Sequence, residues 1–313
     1  MFTGAAGNTL VADVYGDAGD PVMLLHGGGQ TRHAWRHTAE HLARSGAVAY
    51  AFDQRGHGDS EWIADGSYAF TDFAADAAAV ATTLSARCGK HPIAIGASLG
   101  GISSLLAEGT SERAGRGPIL AAIVLVDITP RVDQSGVAKV QGFMRERAIE
   151  GFATIAEAAD AVAAYLPHRK RPRSLDGLKK NLRLHPDGRW RWHWDPRMVA
   201  GARSFAIDPH ILEAALTEAA RALTIPALLV RGGSSEIVHE AHVRDFLELV
   251  PHAEAIDVSG ARHMVAGDSN DSFADAVLDF VGKLEGKERV MSGSIGPGIS
   301  AFTPVFHGAT PRT

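Results

Sequence analysis

The chain has 313 residues, 45% hydrophobic and 21% charged, with 31 Lys and Arg against 36 Asp and Glu and a formal net charge of -5. That is enough chain for one large domain or two small ones with a sizeable core, and it excludes a disordered polymer. The mild acidity provides no global attraction to nucleic acid or to an anionic membrane, and the single cysteine, Cys88, excludes an intrachain disulfide and any zinc site built on several thiolates. Met1 to Leu10 lacks the basic and apolar blocks of a signal peptide. The most apolar stretch, Ile119 to Val126, is broken by Asp127 and is too short to span a bilayer. A cytoplasmic α/β enzyme, with no membrane and no nucleic-acid partner, is the expectation.

Thr9 to Tyr15 alternates weakly and predicts an edge strand. Pro21 to Leu25 is a short apolar run that stops at His26-Gly27-Gly28-Gly29, as a buried strand entering a glycine turn would. Thr31 to Ser45 has helical spacing. Val48 to Phe52 predicts a second buried strand, ending at Asp53. Phe70 to Arg87 is Ala-rich and helical, with Thr71 placed as its N-cap. Pro92 to Ile95 predicts a third strand, running into Gly96-Ala97-Ser98-Leu99-Gly100-Gly101 and then a helix to about Glu108. Ile119 to Val126, Ala227 to Val230 and Ala255 to Val258 predict three more strands, and a last helix runs from about Asp271 to Leu284.

Short apolar strands alternating with helices predict a mostly parallel central sheet covered by helices on both faces. The polar and glycine residues fall just after the strands, where open α/β sheets place their active sites. The alternation fails between Thr129 and Leu223, which predicts a mainly helical insertion over 129–223 in a core formed by 1–128 and 224–286. The Gly-, Ser- and Pro-rich tail, 287–313, has no periodicity and is expected to be a mobile extension.

Gly96-x-Ser98-x-Gly100 follows a strand and opens a helix. A nucleophile there sits on a sharp turn whose neighbours must be small, at a helix N-terminus that favours developing negative charge. An idle serine in a glycine-rich turn would match the same letters, so the flanking strand and helix carry the assignment of Ser98. A serine needs a base. Of the 15 histidines, His37 and His41 lie on a helix, and His168, His185 and His193 lie in the insertion with no distinguishing signal. His263 follows the last strand and precedes the last helix, so it comes last in the order nucleophile, acid, histidine.

The acid that holds the imidazole tautomer is assigned to Glu236, in the loop after Ala227 to Val230. Asp127, at the end of the preceding strand, is the alternative. Oxyanion donors are expected from the Leu99 N–H and from the His26-Gly27-Gly28-Gly29 turn, at Gly28. His26 reads as a structural hydrogen-bonding residue. The loop from Asp53 to Ser60 lacks the ending of a phosphate-binding loop and reads as a shaping loop, with His57 and Asp59 structural.

Together these motifs resemble the α/β-hydrolase superfamily over Thr9 to Leu284, with 129–223 in the place of that family's variable cap. Within it the chain looks closest to small esterases and to the cofactor-free haloperoxidase or perhydrolase group. Epoxide hydrolases and dehalogenases use aspartate where this chain has Ser98, which sets their chemistry aside. The resemblance implies a serine hydrolase acting on small-molecule carboxylic esters through an acyl-enzyme, with neither metal nor organic cofactor. Perhydrolysis or carbon–carbon cleavage by the same triad, and a ligand receptor on the same scaffold, are the other readings. In the insertion, Trp190, Trp192 and Trp194 lie among Arg169, Lys170, Arg171, Arg173, Lys179, Lys180 and Arg183. Single-stranded nucleic acid would suit such a mixture, but the acidic chain argues against it. The tryptophans either pack the insertion onto the sheet or form an apolar wall over Ser98.

Overall fold

The computed structural model describes residues 1–167, 174–202, 204–205, 208–263, 270–284, 286 and 299–301. Two short strands, β1 (Phe2–Thr3) and β2 (Thr9–Leu10), form an antiparallel ribbon beside the main sheet. Then follow β3 (Ala12–Tyr15), β4 (Pro21–Leu25), a 3-10 turn at Arg32–Trp35, α1 (Arg36–Arg44), β5 (Val48–Phe52), α2 (Phe70–Cys88), β6 (Ile93–Ala97), α3 (Leu99–Arg113) and β7 (Ala122–Val126). The insertion carries α4 (Gln134–Arg145), α5 (Ile155–Tyr165), β8 (Leu182–Leu184), β9 (Trp190–Trp192), α6 (Arg197–Ala200) and α7 (Pro209–Arg221). The chain returns to the sheet with β10 (Ala227–Gly232), α8 (Glu240–Leu249), β11 (Glu254–Val258), α9 (Asn270–Leu284) and β12 (Ile299–Ala301).

The main sheet has eight strands in the order β12-β11-β10-β7-β6-β4-β5-β3. The six inner strands are parallel, and β3 and β12 close the two edges antiparallel. Every residue of β4 and β7 is buried, which is why these strands read as continuous apolar runs instead of alternating ones. Alternate side chains still go to opposite faces. Met23, Leu25, Ile123, Leu125 and Leu229 pack with α2, α3, α7 and α8. Val22, Leu24, Val124, Val126 and Val230 pack with Ala39 and Leu42 of α1 and Phe273, Val277 and Val281 of α9.

The topology positions the site. From β4 the chain steps one way to β5 and then crosses to the other side for β6. The helices leaving β4 and β6 therefore diverge, and a crevice opens beyond the carboxyl ends of those two strands. The His26–Gly29 turn leaves one strand there and Ser98 leaves the other.

Two sequence expectations need correction, on where α2 and β7 begin, and the insertion and the tail gain detail. The mainly helical 129–223 insertion also contains an antiparallel hairpin, formed by β8 and β9. Its short alternating Trp-Arg-Trp strand lacks the apolar run that marks a buried strand. α2 starts before Thr71: Ala69 is the N-cap, and its N–H donates to the Asp72 carboxylate at 2.9 Å. Within Ile119 to Val126 only the last five residues form the strand, since the Ile119 and Leu120 N–H groups donate to the Glu108 carboxylate at 3.1 and 3.0 Å. In the 287–313 tail, 299–301 add β12 to the edge of β11, and the rest of that tail lies outside the described residues. No helix among the described residues is long and apolar enough to cross a membrane.

Candidate active site

β6 delivers the chain to Ser98 in a conformation few L residues adopt, with φ +46° and ψ −109°. The turn is tight enough to require its glycines. A Cβ on Gly96 would meet the Gly100 carbonyl carbon at 2.4 Å, and one on Gly100 would meet the Leu25 carbonyl oxygen at 2.2 Å. The Ser98 N–H donates to Val126 O at 3.1 Å, tying the turn to β7. The Ser98 hydroxyl does not cap α3, so the strained turn presents the side chain for other use. Leu99 is the first residue of α3, and its N–H is among those a helix start leaves without an intrahelical acceptor.

The His26–Gly29 turn packs against this elbow, and a Cβ on Gly27 would stand 3.6 Å from Ser98 Cβ. Its hydrogen bonds are nearly all committed. Gly27 N–H donates to Gln30 Oε1, and Gly29 N–H donates to His57 Nε2, each at 3.1 Å. Gly27 O accepts from His26 Nδ1 at 2.8 Å and from Gln30 N–H at 3.1 Å. Gly28 N–H, between them, has no hydrogen-bond partner among the described residues. In a trans peptide the carbonyl and the following N–H point in opposite directions. Holding Gly27 O from one side therefore turns Gly28 N–H to the other.

The loop from Asp53 to Ser60 braces that turn. Gln54 N–H donates to His26 Nε2 at 3.1 Å, and Gln54 Nε2 donates to His26 O at 2.6 Å. His57 donates from Nδ1 to Arg55 O at 3.0 Å, which leaves Nε2 as the acceptor for Gly29. Arg55 is locked to Asp76 of α2 by two hydrogen bonds, at 2.7 and 2.6 Å. Arg32 contacts both Asp53 and Asp59. Burial holds both imidazoles neutral and pushes His26 down to about 4 and His57 to about 3.

His263, after β11, donates from Nδ1 to Asp127 Oδ2 at 2.8 Å. Asp127 follows β7 directly, is fully buried and has φ +51°. Its other bonds fix it: Oδ1 accepts from Gly232 N–H at 2.9 Å, and Oδ2 also accepts from Ser235 Oγ at 2.6 Å. The acid paired with His263 is thus Asp127, not Glu236. The reason lies in sheet order. β7 lies between β6 and β10, so its end stands between Ser98 and the loops after β10 and β11, and a short carboxylate there reaches the imidazole. Ser235 Oγ turns the Glu236 loop back on itself by accepting from Ile237 and Val238 N–H. Glu236 Oε2 is buried without a hydrogen-bond partner among the described residues.

Ser98, His263, Gly28 and Leu99 all line one cavity of about 420 Å³. Its walls come from the sheet domain and from the insertion, including Met144 of α4, Tyr165 of α5 and Leu212 of α7. Of the three tryptophans, only Trp194 lines it. Trp192 stacks behind Trp194, with centroids 4.9 Å apart and planes within 9°, and Trp190 pairs with Leu184 across the hairpin. Trp190 and Trp192 are therefore removed from the predicted pocket wall. Arg169, Lys170, Arg171 and Arg173 lie outside the described residues.

Ser235, Gln30 and His193 were not singled out from the sequence. Ser235 and Gln30 sit in the right loops but are letters that recur throughout the chain. His193, one residue from Trp194, binds backbone of both Gly58 and Gly29.

Residues 17–270 match the family described as serine aminopeptidase, S33. The chain is 28% identical to the esterase Rv0045c of Mycobacterium tuberculosis over 273 residues, covering 84% of this chain and 83% of that protein. It is 27% identical over 286 residues to the non-heme chloroperoxidase CPO-A1 of Kitasatospora aureofaciens, covering 85% and 93%. Its fold superimposes on the crystal structure of E-2-(acetamidomethylene)succinate hydrolase with a TM-score of 0.75 at 24% identity, covering 90% of this chain and 98% of that one.

Proposed function

Because the chain belongs to the serine aminopeptidase S33 family of α/β hydrolases, we propose that it is a serine hydrolase that cleaves carboxylic esters of small or medium-sized molecules through an acyl-enzyme. The observation that carries this reading is the Asp127–His263 pair opening onto the same cavity as a strained, uncapped Ser98. Ser98 Oγ attacks the acyl carbon while His263 Nε2 takes its proton. Asp127 keeps the histidine proton on Nδ1 and stabilises the imidazolium. The N–H groups of Gly28 and Leu99 receive the oxyanion. His263 then protonates the leaving alcohol, and a water activated by the same imidazole releases the acid.

An ester is favoured over a peptide by the lining. It is built largely from apolar and aromatic side chains such as Phe143, Met144, Trp194 and Phe205. A peptidase acting at a free N-terminus needs an acid to hold the α-ammonium group. The carboxylate among the described lining residues, Glu213, already accepts from Arg131 at 2.7 Å. The test is labelling with a fluorophosphonate together with turnover of a panel of neutral esters and of aminoacyl amides. Ester turnover and labelling that both vanish in Ser98→Ala, by several powers of ten in rate, are expected. A Ser98→Ala protein that keeps more than about a tenth of the rate, or a faster rate on the amides, overturns the reading.

A further inference from the structure

We propose that His193, supplied by the insertion, is a positioning residue that completes the oxyanion loop from outside the sheet domain. The proposal rests on the serine-hydrolase reading above. His193 is 1% exposed and sits between two backbone groups of the sheet domain. Gly58 N–H donates to its Nδ1 at 2.7 Å, which requires that nitrogen to be unprotonated. The proton is therefore on Nε2, which donates to Gly29 O at 3.3 Å. Gly29 is thus held at both ends, by His57 on its N–H and by His193 on its carbonyl.

The consequence follows from the backbone. Gly27, Gly28 and Gly29 have no side chains to restrict them, and Gly29 lies at φ +75°. Left alone, such a turn samples many orientations of its N–H groups. Here each of three successive peptide planes is fixed by one imidazole. His26 holds the Gly27 carbonyl, His57 the Gly29 N–H and His193 the Gly29 carbonyl. Gly28 N–H, the unspent donor, belongs to the first of these planes. The third plane also carries Gln30 N–H, which donates to Gly27 O at 3.1 Å, so His193 steadies one of the two bonds that orient the first plane.

The insertion is itself anchored at the same place. Asp195 N–H donates to Gly56 O at 2.9 Å, and Trp194 lies against Gly29. Seating the insertion over the cavity and ordering the oxyanion donors are therefore one event. An oxyanion donor acts on the transition state more than on the bound ester, so loss of this restraint lowers kcat and leaves KM nearly unchanged.

The experiment compares His193→Asn with His193→Gln, each normalised to sites labelled by fluorophosphonate. Asn can accept from Gly58 but is too short to reach Gly29. Gln places an amide where Nε2 stands. His193→Asn is expected to lose about 10- to 100-fold in kcat with little change in KM. It should weaken inhibition by a trifluoromethyl ketone, whose hemiketal oxygen needs the same donors, by a similar factor. His193→Gln should recover most of both. If Asn does not fold, His193→Gln and His193→Met, similar in length with and without the donor, carry the same comparison. Variants that melt earlier but keep wild-type kcat per labelled site, or that raise KM alone, overturn the proposal. A wild-type protein that is not labelled at all overturns the serine-hydrolase reading and the proposal with it.

Discussion

Asp127 Oδ2 accepts from His263 Nδ1 at 2.8 Å and from Ser235 Oγ at 2.6 Å, while Oδ1 accepts from Gly232 N–H at 2.9 Å. One buried carboxylate thus joins the ends of β7 and β10 to the histidine loop. Asparagine in its place can still accept from Gly232, but its amide nitrogen then faces His263. The imidazole must accept at Nδ1 and carry its proton on Nε2, the wrong tautomer for a base. Asp127→Asn is expected to lower kcat by on the order of 10⁴, while Glu236→Gln keeps most of its activity. Steady-state rates of the two variants, corrected for folded fraction, decide it, and the reverse ranking would return the acid to Glu236.

The buried histidines make the fold sensitive to acid. Burial lowers His26 to about 4 and His57 to about 3 from an ordinary value of 6.5. His193 is driven down in the same direction, by burial first and then by His57 and His26. The unfolded chain takes up these protons below about pH 6.5 and the folded chain does not. Their contribution to stability is present above that value and is lost as pH falls from about 6.5 toward 4, by about 1.4 kcal/mol per pH unit for each histidine. Urea midpoints across that range should fall steeply. In His57→Gln the protein should be weaker near neutrality but its midpoint should change less with pH. A variant with the wild-type slope would mean that His57 is not held neutral in the fold.

Much of this site was legible from letters alone because strand ends are where an α/β sheet concentrates polar residues. Ser98 was marked by Gly96 and Gly100, whose spacing reflects clashes at 2.4 and 2.2 Å, and His263 by its place after the last parallel strand. Chain order admits both Glu236 and Asp127 between Ser98 and His263, and sequence does not tell which strand end faces the imidazole. That depends on β7 lying between β6 and β10, a relation among residues more than 100 positions apart such as Asp127 and Gly232. His193 escaped for the same reason. Its partners Gly58 and Gly29 are 135 and 164 residues away, and a histidine in a Trp-rich hairpin has no local pattern to mark it.

Glu108 gives a pH effect of opposite sign. It is buried on α3, and desolvation pushes its carboxyl up to about 7 from 4.5 although the Ile119 and Leu120 N–H groups oppose this. The folded protein therefore retains this proton between about pH 4.5 and 7 when the unfolded chain has released it. Its contribution to stability is present below that window and is lost as pH rises through it. Gln at this position cannot ionise and can still accept from both N–H groups. Glu108→Gln should gain melting temperature relative to wild type at about pH 8 compared with pH 5. Parallel melting curves at the two pH values would show that the carboxyl is ionised throughout.

Of Trp190, Trp192 and Trp194, Trp194 lines the cavity. It lies against Gly29 and shares the cavity lining with Met144, and Trp192 stacks behind it. Replacing Trp194 by Ala removes an apolar wall, with a stability cost of about 3–5 kcal/mol if the hole does not collapse. The enlarged cavity should favour bulkier acyl or alcohol groups over small ones by about tenfold or more in kcat/KM ratio across an ester panel. Trp190→Ala removes a side chain from the hairpin that is not on the cavity surface, so it should lower the melting temperature without reordering the panel. If Trp194→Ala merely melts earlier and ranks the esters as wild type does, the indole is a packing group. The selective wall is then formed by the helices that bring Phe143, Tyr165 and Leu212 to the cavity.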